Sequence, residues 1–366
     1  MKQKKIGIIT IPDYNNYGNR LQNYAVKHVL EGLGCQVDTL EMNDTAFPQY
    51  KARSLKLSLK KYGLGGVATL FEYLHGGALK AKRYARFARF TKRRLNVRYF
   101  PHYDQKTLDR IRATYDYVVL GSDQIWHPTV NTTPNLFFAT FMPRERVLFF
   151  SPSFGIHTLP DPYRQTVREG LAGCDRLTVR EEAGAALLRD LTGMSATVLP
   201  DPTMCLTAEE WKAVAVKPKN APATPYVLKC FLGGVTEEYR AVTERLSADK
   251  TVWEVARKDN PDGYVTGPEE FLGSILGAET VLTDSFHAVV FCILFQKPFV
   301  VFPRLDAEGN HQGLDSRLDT LLARMGLTHR KYTGATADLG ECSFERTHAP
   351  LEEGRALARR FFTEIL

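Results

Sequence analysis

Short apolar runs, each closed by turn residues and followed by an amphipathic stretch, recur along this chain and constrain its fold more than any other feature. A first series of runs falls at 6–11, 37–40, 117–120, 147–150, 177–179 and 196–199, with helical periodicity at 21–33, 108–113, 163–171 and 181–191. A second series at 226–231, 251–255, 279–283 and 298–302 alternates with helical patterns at 237–246, 269–276, 285–295 and 316–325. Strands that are apolar throughout are buried on both faces, and helices between them make a parallel sheet covered on both sides. At 366 residues the chain also exceeds one ordinary core. The expectation is therefore an α/β protein of two Rossmann-like domains facing a cleft. The first covers 1–204, with a basic helical insertion at 51–98. The second covers 205–345, and a helix at 346–366 crosses back to the first.

No apolar run reaches the roughly 18 residues of a membrane span. The run at 6–11 reads as a first core strand rather than a signal peptide. Cys35, Cys174, Cys205, Cys230, Cys292 and Cys342 lie far apart with no CxxC pair. A disulfide framework is not expected, a reducing cytoplasmic location is, and the sequon at Asn131 is then idle. No His/Asp/Glu cluster has ligand spacing, so no metal is expected.

Charge is unevenly spread. Residues 51–98 hold fourteen Lys/Arg against one acid, Glu72, a local +13 in a chain whose total is +7. Within this block a helical pattern at 79–95 puts Tyr84, Phe87, Ala88, Thr91 and Leu95 on one face. Lys82, Arg83, Arg86, Arg89, Lys92, Arg93 and Arg94 cover the remainder. Such a helix suits an anionic membrane surface, and equally a core-facing helix whose charges are solvated. No nucleic-acid motif accompanies it, and nucleic acid is not expected as a partner.

Three stretches carry candidate chemistry. In the first, a buried strand ends at Thr283, Asp284 or Ser285 caps the next helix, and Phe286 and His287 fall in its first turn. Unpaired backbone N–H groups and the positive end of the helix dipole bind anions there. The imidazole suits phosphate binding or proton transfer, although a packed helix-start residue explains the same letters. In the second, the turn-rich residues 14–24 place Asn16, Gly18 and Gln22 where the first strand meets its helix. They suit a hydroxyl-rich ligand, or simply a capped turn. In the third, Ser122, Asp123, Gln124 and Trp126 follow the strand at 117–120. Asp123 suits taking a proton from an acceptor hydroxyl and Trp126 suits stacking on a sugar, and a capped turn with a buried Trp fits nearly as well. Arg180 and Arg304 each follow a strand and suit a bidentate anion contact.

Together these stretches resemble the polysaccharide pyruvyl transferase family. The likeness is carried by YNNYGNRLQNYA at 14–25, DYVVLGSDQIW at 116–126 and TDSFHAVVFCILFQKPFV at 283–300. SPSFG at 151–155, VREE at 179–182, GPEEFL at 267–272 and DSR at 315–317 add to it. The resemblance implies a GT-B-like fold and a transferase that moves pyruvate from phosphoenolpyruvate, its donor substrate, to a sugar as a cyclic ketal, with no other cofactor. The acceptor would be an exopolysaccharide, capsule or cell-surface glycan precursor, in one version linked to a lipid pyrophosphate at the inner membrane face. His287 matches the family's active-site histidine and Arg180 a donor-contacting arginine. Some members carry Arg two residues before that histidine, where this chain has Ser285, so Arg304 and Arg317 become candidates for the donor's charge. A nucleotide-sugar glycosyltransferase, with a nucleoside pocket near 229–234 and 267–269, is the alternative reading. A non-catalytic carbohydrate- or lipid-surface-binding protein is a third.

Overall fold

The computed structural model describes residues 3–42, 77–311, 316–334 and 342–366. The basic residues of 51–76 and Asp315 of the DSR motif lie outside them. Five short strands form the first sheet: β1 (Lys5–Ile9), β2 (Gln36–Met42), β3 (Val97–Phe100), β4 (Tyr117–Asp123) and β5 (Val147–Pro152). All pairings are parallel, in the order β3-β2-β1-β4-β5. The order reverses between β1 and β4, and ligands of open α/β sheets bind at such a switch point, beyond the carboxyl ends of the strands. β4 runs three residues further than the apolar run 117–120 suggests, because Gly121 and Asp123 still pair with β5. β3 was not legible as a strand: it is an edge strand with Arg98 and Tyr99 exposed, so it lacks an apolar pattern.

A small parallel pair, β6 (Leu177–Val179) and β7 (Ala196–Val198), extends this half. The second sheet is also parallel, in the order β11-β10-β8-β9. Its strands are β8 (Tyr226–Cys230), β9 (Thr251–Val255), β10 (Ala278–Thr283) and β11 (Phe299–Val301).

The first half carries α1 (Tyr17–Gly32), α2 (Ala78–Arg94), α3 (Gln105–Thr114), α4 (Pro134–Phe137), α5 (Asp161–Leu171) and α6 (Glu182–Thr192). The second half carries α7 (Ala208–Lys212), α8 (Glu237–Leu246), α9 (Pro261–Tyr264), α10 (Pro268–Gly277), α11 (Phe286–Phe295) and α12 (Ser316–Met325). The last helix, α13 (His348–Thr363), returns to the first sheet, where Phe362 meets Phe150 at 4.7 Å between ring centroids.

Two helices position the site. α11 is apolar on every side except His287, and all ten of its residues are buried, as expected of a helix enclosed by its own protein. α1 enters the junction between the sheets with its first seven residues buried. Tyr17 stacks on Phe271 of α10 at 4.4 Å, within one apolar cluster that also takes in Phe87, Phe90, Trp211 and Phe291. The two halves thus share a core, and an interface this apolar holds them as one body.

α2 has the basic amphipathic character read from the sequence, with two corrections. Arg83 is 3% exposed and belongs to the buried face, while Tyr84 is 51% exposed. The guanidinium fits inside because every polar contact it needs is supplied: Tyr17 Oη and the carbonyls of Tyr264 and Asn15 accept from it.

Candidate functional site at the junction of the sheets

The N-terminus of α11 lies at the carboxyl end of β10, and Ser285 caps it by accepting from the Ala288 amide. The first-turn amides of Phe286 and His287 have no acceptor within the helix. Asp284, just before the cap, accepts from the amides of Leu232 and Gly233 at 2.8 and 2.7 Å, tying the end of β8 to that of β10. Arg304 donates to the Asp284 carbonyl at 3.0 Å and lies 3.7 Å from its carboxylate. That guanidinium braces the capping turn, while its Nε finds no hydrogen-bond acceptor among the described residues.

His287 is nearly enclosed. A Cβ on Gly18 would lie 1.9 Å from its Nδ1, so the imidazole rests directly on the α1 backbone. Glycine is required there by close approach rather than by conformation. On its other side, His287 Nε2 is 3.5 Å from Asp201 Oδ2. That same oxygen accepts from Arg180 at 2.6 Å, and Asp201 Oδ1 accepts from the amide and hydroxyl of Thr203. Burial alone would raise the pKa of Asp201, but His287, Arg180 and Thr203 outweigh it and hold the carboxyl well below the usual range.

Arg180 follows β6 and is ringed by carboxylates, with Asp123 at 3.8 Å and Glu181 at 4.0 Å besides Asp201. Burial works against its charge, and these three neighbours restore it. Glu181 in turn accepts from Ser153 Oγ and the amides of Phe154 and Gly155, which joins VREE to SPSFG. Asp123, at a left-handed φ of 76°, accepts from Asn19 and from the Gln124 amide. Burial opposes its ionisation, yet Arg180 and His287 keep its pKa lowered. A non-glycine residue held at such a φ is strained, and strain of this kind concentrates at functional sites.

Arg317, from the first turn of α12, differs from the other cations. It is 6% exposed and makes no hydrogen bond or ion pair among the described residues, and its Nε is buried without a partner. Burial, then the like charges of Arg180 and Arg304, pull its pKa down to about 9, so it remains charged at neutral pH. The Phe286 ring lies between two of these cations, 4.8 Å from Arg180 and 5.4 Å from Arg317, and its π face offsets part of their repulsion. Arg180, Asp201, Phe286 and Arg317 line one end of a cleft that opens to solvent. Met204, Leu321 and Leu351 continue it as an apolar wall.

Other expected residues do not reach this cleft. Trp126 is fully buried, donates to the Phe137 carbonyl and packs on Phe138, Phe149 and Phe154, so no face is left for a sugar. Ser122 and Gln22 are also fully buried and bond each other, Thr10 and the Ser151 carbonyl. All three are corrected to internal braces, because their polar groups are already satisfied. Asn16, the cap of α1, and Gln124 remain partly exposed.

The stretches expected to form a nucleoside pocket are also occupied by the protein itself. The Leu232 and Gly233 amides serve Asp284, Gly267 pairs with Glu270, and Glu269 binds Arg94. Asp201 is the residue that sequence reasoning missed. Its Pro-flanked position reads as a turn and that reading is locally complete, so nothing in the string separates it from any other capping Asp. Among the described residues no group of three His, Cys, Asp or Glu is placed to hold a metal ion.

The sequence profile described as polysaccharide pyruvyl transferase matches residues 16–306, from the cap of α1 to the segment beyond β11. The chain belongs to the polysaccharide pyruvyl transferase family. It is accordingly a transferase, and a pyruvyl transferase implies a sugar acceptor. No curated protein matches the sequence. Solved structures similar to this transferase include the S. aureus MnaA-UDP co-structure, with 13% identity, TM-score 0.52, and coverage of 100% of this chain and 98% of that one. A putative UDP-N-acetylglucosamine 2-epimerase from Listeria monocytogenes is similar at 11% identity and TM-score 0.50, over 99% and 97% of the two chains. Likeness at this identity concerns the fold, which is GT-B-like: two Rossmann-like domains facing a cleft.

Proposed function

We propose that this transferase moves pyruvate from phosphoenolpyruvate to a sugar of a glycan precursor, and that the donor's phosphate lies against Arg317, Arg180 and the first-turn amides of α11. The observation that carries this reading is the buried guanidinium of Arg317, unpaired among the described residues. A buried charge without a partner is costly, and a multiply anionic ligand in the cleft supplies the missing charge. This also answers the departure at Ser285, since the cation comes from α12 instead of the capping turn.

In the reaction a proton adds to the methylene carbon of phosphoenolpyruvate and leaves C2 electrophilic. One acceptor hydroxyl forms a C–O bond to C2, the bond from C2 to the phosphate oxygen breaks, and a second hydroxyl closes the ketal. Of the two hydroxyl protons released, one balances the new methyl group and the other leaves with phosphate. His287, backed by the carboxylate of Asp201, protonates the departing phosphate. Asp123 is too weak a base for strong activation, because its pKa is lowered. It orients the attacking hydroxyl as an acceptor, with Asn16 and Gln124 at the sugar.

The test is release of inorganic phosphate from phosphoenolpyruvate that depends on a sugar acceptor and adds pyruvyl mass to it. His287→Ala, folded by circular dichroism, is expected to lose about 10²–10⁴-fold in turnover. Turnover within tenfold of wild type would remove His287 from the chemistry. No phosphate release with any acceptor, together with a thermal shift by nucleotide sugars, would replace the reading with glycosyl transfer.

A further inference from the structure

Helix α2 carries eight Lys/Arg and no acid in its seventeen residues, and its two sides use them differently. The inner cations tie the halves together. Arg83 donates to Tyr17 Oη and the Tyr264 carbonyl, Arg86 pairs with Glu270 at 2.7 Å, and Arg94 pairs with Glu269 at 2.9 Å. Lys82, Arg89, Lys92 and Arg93 are exposed and pair with no carboxylate among the described residues. At about 100° per residue these four fall within one arc of roughly 100°, opposite the buried Phe87, and span about 16 Å of the helix axis. Ala78, Ala81 and Ala85 share that exposed side, so the stripe is low and even.

We propose that this outer face docks the protein on an anionic lipid bilayer. Four unpaired cations in a row complement a plane of negative headgroups, and each such residue near the surface strengthens binding roughly fivefold. A nucleic-acid groove fits less well. No nucleic-acid-binding motif accompanies the stripe. Among the described residues no helix is long and apolar enough to cross a membrane, so the contact is peripheral. Because the inner cations hold both halves, docking orients the molecule as one body.

The experiment is co-sedimentation of the full chain with vesicles of phosphatidylcholine alone or mixed with phosphatidylglycerol. Binding is expected only with phosphatidylglycerol. It should fall steeply as salt rises from about 0.1 M toward 1 M, where the screening length shrinks from about 10 Å to 3 Å. The variant Lys82→Gln/Arg89→Gln/Lys92→Gln/Arg93→Gln keeps good helix formers at exposed positions. It should retain the wild-type melting temperature and turnover on a soluble acceptor, and lose roughly a hundredfold or more in vesicle affinity. Equal binding to neutral vesicles, no binding at low salt, or wild-type binding by the folded variant each overturns the proposal. Tight binding of a mixed-sequence RNA duplex that vesicles fail to displace overturns it in favour of a polyanion.

Discussion

At the scale of single residues, the site depends on packing distances that a conservative change would violate. Gly18→Ala inserts a methyl where the His287 ring already sits. The expected result is a stability loss of about 1–3 kcal/mol with a further fall in kcat, as the imidazole leaves Asp201. Urea unfolding read beside turnover separates the two effects. Asp201→Asn leaves Arg180 and His287 without the carboxylate they share, and a broken buried pair costs about 3–5 kcal/mol. The sign with pH follows from the lowered pKa. Asp201's contribution is fully present above the ordinary carboxylate range near ~4 and is lost as pH falls through its lowered value. Acid unfolding of Asp201→Asn should therefore show a flatter dependence below about pH 4 than wild type.

At the scale of elements, α11 and α13 contrast in how they announce themselves. α11 is a ten-residue apolar run with a capping Ser and one His, so its existence and its capped start were both legible. α13 is amphipathic, with Leu351, Gly354, Ala358 and Phe362 buried; it crosses back to the first sheet as expected, although periodicity alone does not say which residues it covers there. They include Ile6, Val119 and Phe150 of the first sheet. Phe362→Ala should cost about 3–5 kcal/mol, measured by chemical unfolding, with turnover of the remaining folded protein unchanged. An effect below about 1 kcal/mol would mean that α13 is a loosely held appendage.

At the scale of the whole molecule, the cleft collects charge from parts of the chain more than a hundred residues apart. The proposed donor contact at Arg317 carries a pH signature, because its pKa is lowered to about 9. Below that value it is charged and repelled by Arg180 and Arg304, so the free protein gains stability as pH rises through it. An anion reverses the balance by favouring the charged form. Binding of phosphoenolpyruvate should therefore be constant near neutrality and weaken by up to about tenfold per unit above pH ~9. Calorimetry across that range checks it, and Arg317→Ala should abolish the dependence. Affinity that is flat to about pH 11 would separate Arg317 from the donor.

By itself the sequence determined the alternation of strands and helices, the parallel sheets and the Ser-capped start of α11, because hydrophobic period and capping chemistry are local. Only the tertiary structure decided which polar residues stand at the cleft. Trp126, Gln22 and Ser122 look functional as letters but lie inside the first half, and Asp201 looks like a turn but meets His287 across the junction. Arg83 reads as one more solvated charge but is buried, where Tyr17 Oη and the Tyr264 carbonyl accept from it. The physical reason is common to all of them: a side chain's exposure and its partners are set by segments distant in sequence. No local pattern carries that information.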